Sequence, residues 1–345
     1  MKIVHLFWGL GTGGIETMLV NIANEQIKLG HKLYIIIIND LINDNLKNSF
    51  LKDICFICLK RKLRSKNPLF IALLNKELLR ISPDIIHFHE ANIIKYILPN
   101  WRKISVLTVH HLPGSKLIGY YHSFSEVYAI SDSVRNELRK YHNIESKTIY
   151  NGILTKKFKI RDAKKDVMKI VQVGRLFHNI KGQDLLIIAF GRLIEKGYRH
   201  LSLSIVGEGD SECYLKNLVK DCKLEDYVHF VGMWQQDYLV EHLSDFDLFV
   251  QPSRFEGFGL TVAEAMAAKV PVLVSDNQGP MEVINNGEYG YCFKNDNIDD
   301  CVNKLESIIV NGVDCNMVEK AFVYVKQMFD VKITAKRYIE NYKTI

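Results

Sequence analysis

The sequence predicts an α/β protein built of two Rossmann-like, doubly wound domains, each with a parallel sheet between layers of helices. Strand-like and helix-like segments alternate along nearly all of the 345 residues, without a detectable repeat or low-complexity stretch. Such alternation is typical of parallel strands joined by crossover helices. The pattern breaks at Asn151-Gly152, a polar stretch covers residues 155–166, and a second alternation follows. Since this length suffices for two cores of ordinary size, the break predicts two domains.

In the first half, apolar runs of strand length alternate with segments of helical character. The predicted strands are residues 3–8, 32–38, 54–58, 85–88, 104–109 and 126–130. The predicted helices are residues 14–29, 68–81 and 131–141, the last of which begins at a Ser-Asp-Ser sequence. Serine and aspartate cap helices because their side chains accept a hydrogen bond from a free N–H of the first turn.

In the second half, the predicted strands are residues 169–173, 201–206, 227–231, 246–250 and 271–274. The helices predicted between and after them are residues 181–195, 211–222, 260–267 and 298–310, and a last helix covers residues 334–342. The residues that carry chemistry follow the strands, as expected at the carboxyl edge of a doubly wound sheet.

Two glycines and two acids follow the predicted strand at residues 246–250. The run Gly257-Phe258-Gly259-Leu260 leads into the next helix, with Glu256 before it and Glu264 within the helix. Glycines let the backbone approach a ligand closely, and a helix start favours an anion such as phosphate. Ionised carboxylates only accept hydrogen bonds, so they suit hydroxyl groups. Together these features predict a site for a sugar joined to a nucleoside diphosphate.

With seven residues between them, Glu256 and Glu264 resemble the Glu-x7-Glu motif of retaining glycosyltransferases of group 1 (family 4). The resemblance covers nearly the whole chain and is strongest over residues 173–264. It implies the GT-B fold, in which two Rossmann-like domains face each other across a cleft. It further implies that residues 1–155 bind the acceptor, with residues 332–345 crossing back onto them, and that residues 156–331 bind the nucleotide sugar.

Other segments of the second half resemble the same family. Gly174-Arg175-Leu176 followed by Lys181-Gly182 resembles its Gly-Arg-Leu…Lys-Gly signature, although the segment between is one residue longer. Arg175 offers a rigid fork and Lys181 a point charge, which suit a diphosphate. Gly207 resembles the glycine of a strand-end turn that lines the nucleotide site, and the resemblance implies that the backbone of Val231 contacts the base.

The glycine loop after the first strand allows two interpretations. Gly9-Leu10-Gly11-Thr12-Gly13-Gly14 matches the dinucleotide-binding pattern, and Asp40 follows the second strand, as in an NAD-linked oxidoreductase. Gly13 and Gly14, followed by Ile15 and Glu16, also resemble the Gly-Gly-x-Glu loop of group 1 glycosyltransferases. We favour the second interpretation because the other half has a nucleotide-sugar site of its own. A GT-B nucleotide-sugar epimerase or hydrolase is the other alternative.

Histidines follow two strands of the first half. His110 resembles a family histidine that contacts the transferred sugar or the acceptor. With Glu256, Arg175 and Lys181 it completes the predicted catalytic set. The run His87-Phe88-His89-Glu90 has ligand-like residues but no further partner in an obvious metal arrangement, so we interpret it as a lining of the site. The prediction therefore includes no metal ion and no cofactor.

Composition predicts a cytoplasmic protein. The chain is 48% hydrophobic and 24% charged, its apolar runs are too short to span a membrane, and its start lacks the features of a signal peptide. Seven cysteines without framework spacing indicate reduced thiols. Cys55 and Cys58 have C-x-x-C spacing within an apolar run, and we expect both in the core.

Charge is distributed unevenly. Residues 1–160 carry 23 Lys and Arg against 12 Asp and Glu, whereas residues 161–345 carry 22 against 27. Residues 60–66 contain five cations, and such a run is either a solvated face or the contact with an anionic bilayer at the inner face of the cell membrane. No nucleic-acid module is present. The resemblance implies as partners a nucleotide-sugar donor, with UDP favoured over GDP, and a glycan or lipid-linked acceptor of bacterial surface polysaccharide synthesis.

Overall fold

The computed structural model describes residues 1–11, 13–116, 119–160, 162 and 166–345. The backbone divides into two compact units, residues 1–153 with 329–345, and residues 154–328. Thr12 of the first glycine loop, and residues 161 and 163–165 of the predicted polar connection, lie outside the described residues.

The first unit is a parallel sheet with helices. Its strands are β1 Lys2–Phe7, β2 Lys32–Asn39, β3 Cys55–Arg61, β4 Ile85–Phe88, β5 Ser105–Val109, β6 Glu126–Ala129 and β7 Lys147–Thr148. Their order is β3-β2-β1-β4-β5-β6-β7, with every pair parallel. The helices are α1 Gly14–Lys28, α2 Asp44–Asn48, α3 Leu69–Ile81, α4 Asp132–His142 and, from the end of the chain, α13 Val331–Tyr342. Short 3₁₀ helices cover Ala91–Tyr96, Pro99–Ile104 and Tyr121–Ser123.

The predicted cap of α4 is confirmed, since Ser131 Oγ accepts a hydrogen bond from the Val134 N–H at 3.1 Å. The expectation for the cysteine pair is wrong. Strand β3 lies at the sheet edge and continues to Arg61, and Cys55 is exposed while Cys58 is half-buried. An edge strand has one unpaired side toward solvent, so it tolerates polar and charged residues that a central strand excludes. All seven cysteines are free thiols.

The second unit is also a parallel sheet with helices. Its strands are β8 Lys169–Val173, β9 Ser202–Val206, β10 Val228–Phe230, β11 Leu248–Gln251, β12 Val272–Ser275 and β13 Tyr291–Phe293, in the order β10-β9-β8-β11-β12-β13. Its first helices are α5 His178–Lys181, α6 Gln183–Glu195, α7 Glu212–Asp221 and α8 Gln236–His242. They are followed by α9 Leu260–Ala267, α10 Gln278–Val283, α11 Ile298–Asn311 and α12 Cys315–Met328, and a 3₁₀ helix covers Leu243–Asp245.

The predicted helix over residues 181–195 is divided at Gly182. This glycine has a φ of +67°, and a Cβ there would lie 1.9 Å from the carbonyl oxygen of Pro252. Only glycine combines that backbone angle with so close an approach. The break ends α5 directly after Lys181, beside the loop that follows β11.

Both units confirm the predicted α/β fold class. The sheets are covered by buried apolar side chains, and the core of the second unit contains Leu186, Phe190, Leu203 and Leu248, all inaccessible to solvent. Fully buried parallel strands are expected between two helical layers. No helix in the described part of the chain combines the length and apolar character that crossing a bilayer requires.

Candidate active site

An ion pair joins the end of α5 to the loop that follows β11, at the carboxyl edge of the second sheet. Lys181 Nζ lies 2.5 Å from Glu256 Oε2, and the two side chains are 24% and 18% exposed. Gln251 Nε2, at the end of β11, donates to the same carboxylate oxygen at 3.2 Å. Because both charges are largely withdrawn from water, their attraction is screened less than that of a surface pair. The structure thus brings together two residues that the sequence analysis named.

Arg254 holds the loop that contains Glu256, which we call the Glu256 loop, against the segment that contains Lys181. Its guanidinium donates to both carboxylate oxygens of Asp184, at 2.8 and 3.0 Å, and to the carbonyl oxygen of His178 at 2.7 Å. It also donates to Asp296 at 2.7 Å. Paired donors to one carboxylate restrict orientation as well as distance. Arg254 therefore sets the position of the Glu256 loop relative to α5 and the start of α6, a role that sequence reasoning missed.

The run Gly257-Phe258-Gly259-Leu260 forms the start of α9. Phe258 is buried, while Gly259 precedes the helix with a φ of +100°, a left-handed angle that favours glycine. Gly279, at the start of α10, donates its N–H to the Glu256 carbonyl oxygen at 3.2 Å. The first N–H groups of a helix lack intrahelical partners, so this turn offers donors to an anion.

The second predicted acid lies in a different environment. Glu264, in α9, is buried, and Gln236 Nε2 donates to its Oε1 at 3.0 Å. Burial raises the pKa of the Glu264 carboxyl to about 7, although the hydrogen bond from Gln236 opposes the shift. Glu256 is paired with a cation and Glu264 with a neutral amide, so the two acids are chemically distinct.

The structure does not bring Arg175 into the ion pair. Its side chain is 72% exposed, and its nearest acidic partner is Asp210, at 3.8 Å. Gly207 and Val231 lie at neighbouring strand ends, where the Gly207 N–H donates to the Gly232 carbonyl oxygen at 2.8 Å. Val231 is 41% exposed, and its N–H is bonded to Ile205. A contact of Arg175 or Val231 with a ligand stays a prediction.

In the first unit, the glycine loop leads into α1. Gly13 is the residue before the helix, Gly14 is its first residue, and the Gly13 carbonyl oxygen accepts bonds from the N–H and the hydroxyl of Thr17, both at 3.1 Å. Glu90, two residues after the end of β4, has a carboxyl pKa raised to about 7 by burial and by the charge of Glu16. Glu90, which the sequence analysis assigned with its neighbours to the lining of the site, is therefore an acid of this loop region.

Two buried histidines, His5 and His89, and the half-buried His110 form a hydrogen-bonded chain beside this loop. His5 Nε2 bonds to Gln26 Oε1 at 2.8 Å, and His5 Nδ1 to His89 Nε2 at 3.0 Å. His89 Nδ1 then bonds to His110 Nε2 at 2.9 Å. We call Gln26, His5, His89 and His110 the histidine chain. It joins α1 to β1 and to the residues that directly follow β4 and β5.

A second series of bonds attaches α13 to the same cluster. Tyr342 OH bonds to His87 Nδ1 at 2.6 Å, His87 Nε2 to Thr108 Oγ1 at 2.7 Å, and that hydroxyl to Tyr338 OH at 2.9 Å. The His87 and His89 rings stack with centroids 4.3 Å apart. The last helix is thus held to the first sheet by polar contacts as well as by apolar packing.

His5, His87 and His89 bring one nitrogen each within 4.8 Å of one another, a spacing that a metal ion could use. The fold supplies the partner, His5, that the sequence analysis did not find. All six ring nitrogens of these residues already make the hydrogen bonds described above. Because a metal would have to replace several of those bonds, we interpret the cluster as a hydrogen-bond network.

The buried histidines should make the first unit unstable in acid. Burial lowers the pKa of His5 from 6.5 to about 4 and that of His110 to about 3, and it lowers those of His87 and His89 well below 6.5. Above pH 6.5 neither the folded nor the unfolded histidine is charged, so no penalty exists. Below pH 6.5 only the unfolded chain binds the proton, so stability falls until the folded pKa is reached. For His5 alone the loss at pH 5 is about 2 kcal/mol.

This prediction is tested by urea unfolding between pH 7.5 and 5 in a Trp234→Phe variant, whose remaining tryptophans, Trp8 and Trp101, lie in the first unit. The midpoint should fall steeply below pH 6.5. His229→Gln, at an exposed position of the second unit, is the matched control and should leave the profile unchanged. A flat profile would contradict the burial of neutral histidines.

Not all cations of the basic run at residues 60–66 are exposed for contact with a partner. The Arg61 guanidinium packs over the rings of Trp8 and Phe70, with its carbon 5.5 and 5.1 Å from their centroids, and donates to Asn39 at 2.9 Å. We call the exposed remainder the basic edge: Lys60, Lys62, Leu63, Arg64 and Lys66. Leu63, at its centre, is 62% exposed. Arg61 therefore belongs to the fold, and four cations are left to meet a partner.

Two family models match the chain. Glycosyl transferases group 1 matches residues 155–322, and Glycosyltransferase Family 4 matches residues 12–157. An uncharacterised glycosyltransferase of Methanocaldococcus jannaschii is 32% identical over 56% of this chain and 56% of its own length. The N-acetyl-alpha-D-glucosaminyl L-malate synthase of Bacillus anthracis is 27% identical over 76% of this chain and 74% of its own. The oxidoreductase alternative finds no support in these matches.

The fold has solved counterparts. The Anabaena protein HepE, crystallised with UDP and glucose, superposes with a TM-score of 0.82 over 100% of both chains, at 19% identity. At that identity the likeness concerns the fold alone. Since the two family models meet near residue 155 and together span residues 12–322, the chain belongs to the group 1 (family 4) glycosyltransferases with the GT-B fold.

Proposed function

We propose that this glycosyltransferase moves a sugar from a nucleotide-sugar donor to a glycan or lipid-linked acceptor, with retention of anomeric configuration and without a metal ion. The observation that carries the proposal is the Lys181–Glu256 pair beside the start of α9. It places a cation, an acceptor of hydroxyl bonds and free N–H groups within one short stretch of the second unit. Those three groups match a diphosphate joined to a sugar.

In this proposal, the acceptor oxygen bonds to the anomeric carbon as the bond from that carbon to the diphosphate oxygen breaks. The hydroxyl proton passes to the departing diphosphate on the same face. Lys181 and the N–H groups at the start of α9 stabilise the charge that develops on the diphosphate, while Glu256 holds sugar hydroxyls. Catalysis would come mainly from position and electrostatic stabilisation.

Screening nucleotide sugars by thermal shift tests the donor class, since a ligand that binds only the folded protein raises its midpoint by mass action. UDP-sugars come first, because HepE was solved with UDP and glucose, and GDP-sugars second. Transfer by the stabilising donor is then followed by NMR of the anomeric proton in the presence of a strong chelator. Inverted product, or activity that needs added magnesium, contradicts the mechanism. Hydrolysis or epimerisation without transfer would favour the alternative enzymes.

Glu264 should make donor binding depend on pH. A ribose diol can donate both of its hydroxyl hydrogens to an ionised carboxylate, whereas the protonated acid keeps one good acceptor oxygen, and the pKa of Glu264 in the free protein is raised to about 7. Donor affinity should therefore rise as the pH increases from 6 to 8. In Glu264→Gln, affinity should be lower at pH 8 and independent of pH across this range. Titration calorimetry of both proteins measures this, and a parallel slope in the variant would show that Glu264 does not meet the donor.

For the acceptor, we propose that the basic edge meets an anionic bilayer and so brings the enzyme to a lipid-linked acceptor of bacterial surface polysaccharide synthesis. Each cation near such a surface contributes about 1 kcal/mol, and the contribution falls within a Debye length of about 8 Å at physiological salt. Four cations around an exposed leucine suit reversible binding at the headgroups. The positive charge of residues 1–160 supports the same orientation.

The protein should therefore pellet with anionic vesicles at low salt and remain in solution with neutral ones. Changing Lys60, Lys62, Arg64 and Lys66 to Gln should abolish pelleting, while Arg61 is left in place because it packs in the fold. The matched control changes four exposed lysines of the second unit, Lys216, Lys220, Lys223 and Lys304, to Gln. If the first variant still pellets, the basic edge is only a solvated surface and a soluble acceptor becomes the better proposal.

A further inference from the structure

The histidine chain ends in an atom without a partner. His110 Nδ1 is buried, yet no group among the described residues bonds to it, and Gln26 Nε2, at the other end of the histidine chain, is likewise buried and unbonded. Buried polar atoms are almost always paired with protein, water or ligand. The free nitrogen therefore marks a place where a further group belongs, at one of the residues that the sequence analysis assigned to the site.

Gln26, at the opposite end of the histidine chain from His110, sets the direction of the hydrogen bonds in that chain. The structure orients the Gln26 amide with Oε1 toward His5 Nε2, at 2.8 Å, and since a carbonyl oxygen can only accept, His5 Nε2 carries the shared proton in this orientation. A neutral imidazole has one N–H, so His5 Nδ1 accepts, and it accepts from His89 Nε2. By the same step, His89 Nδ1 accepts from His110 Nε2. This leaves His110 Nδ1 as a lone-pair acceptor.

The surroundings keep all members of the chain neutral. His5 is completely buried and His89 is 7% exposed. Among the described residues, no hydrogen bond joins His5, His89 or His110 to a carboxylate. An imidazolium there would lack a counter-charge, which a buried site disfavours. Because the three histidines stay neutral, Gln26 can control only the direction of the hydrogen bonds in the histidine chain.

We propose that Gln26, His5 and His89 are positioning residues that hold His110 as the neutral tautomer with its proton on Nε2, reserving Nδ1 as a hydrogen-bond acceptor for a hydroxyl group of the substrate. The substrate half of this statement rests on the proposed function, whereas the tautomer does not. On this view His110 orients a hydroxyl and does not donate a proton to the leaving diphosphate.

Nitrogen NMR tests the tautomer directly, because protonated and unprotonated ring nitrogens have well separated chemical shifts. The whole protein, with ¹⁵N in its 12 histidine rings, is measured without ligand at pH 7.5. The His110 signals are assigned by their loss in His110→Gln, with His111→Gln at the exposed neighbouring position as the matched control. We expect protonated Nε2 and unprotonated Nδ1. A proton on Nδ1, with or without one on Nε2, overturns the proposal.

Gln26→Met tests the control by Gln26, since methionine keeps the length of the side chain but removes the carbonyl acceptor. His110 should then become a mixture of tautomers, and a pure Nε2–H form in a folded variant would overturn the role of Gln26. In a transfer assay the same variant should lower kcat on the order of tenfold, the scale of one hydrogen bond, with the donor KM little changed.

These measurements separate the two proposals. If Gln26→Met does not fold, the wild-type spectrum alone decides the tautomer. If the spectra are as expected but no nucleotide sugar is transferred, the proposed function fails and the tautomer assignment stands. If transfer occurs and kcat of a folded Gln26→Met is unchanged, the tautomer of His110 has no part in orienting the substrate.

Discussion

Replacing Glu256 with Gln should lower kcat for sugar transfer by roughly 10²–10³-fold, the scale of a lost transition-state contact. The donor Kd should change by less than about threefold, because a group that acts on the reacting sugar contributes more to the transition state than to the ground state. The free protein already holds this carboxylate against Lys181 at 2.5 Å. Glutamine keeps the shape of the side chain but not the charge that orients Lys181. Steady-state kinetics and calorimetry measure the two quantities.

The chain offers a matched control for this variant. Glu306 pairs with Lys196 at 2.6 Å on the same unit, with side chains 29% and 45% exposed. The pair joins the residue that follows α6 to α11, and it lies away from the loops that follow β8 and β11. Glu306→Gln should leave kcat within about twofold, as expected of a surface pair. A fall in kcat of equal size in both variants would mean that Glu256 acts only through stability.

Lys181→Met should lower kcat on the order of a hundredfold, because the lysine stabilises charge that develops on the diphosphate. Lys196→Met, the partner of Glu306, is the matched control and should retain wild-type kcat. Combining Lys181→Met with Glu256→Gln should cost much less than the product of the single effects, since the two residues act as a unit. Multiplicative losses would show that the pair is incidental to catalysis.

Arg175 provides a contrast with Lys181. Because its guanidinium is mostly exposed and lies 3.8 Å from Asp210, Arg175→Ala should not change the thermal midpoint of the free protein. Any loss of transfer in this variant therefore reports a contact made only when donor is bound. Lys181→Met, in contrast, leaves a largely buried carboxylate without its cation and should lower the midpoint as well.

The sequence by itself determined the fold class and the segments that carry the chemistry. Apolar runs of strand length predicted strands such as β4 and β8 with their observed bounds. Such runs can be identified because the spacing of apolar residues along a strand is a local property of the sequence. The positions of Glu256 and Lys181 after two strands were likewise readable, because the carboxyl ends of parallel strands meet at one edge. Gly182 was visible as a residue, but the break that it causes in the predicted helix was not.

Only the tertiary structure decided which polar side chains contact one another. Gln236 reaches Glu264, Arg254 reaches Asp184 and Gln26 reaches His5, although 21 to 70 positions separate the members of each pair. No local spacing encodes such contacts, since they depend on how helices pack on the sheet. The same reason explains why one cation of the basic run differs from the others: Arg61 packs against Trp8 and Phe70, which lie far from it in sequence or on another element. Local pattern predicts the elements, whereas packing between distant elements decides which polar groups are paired and which stay available for a ligand.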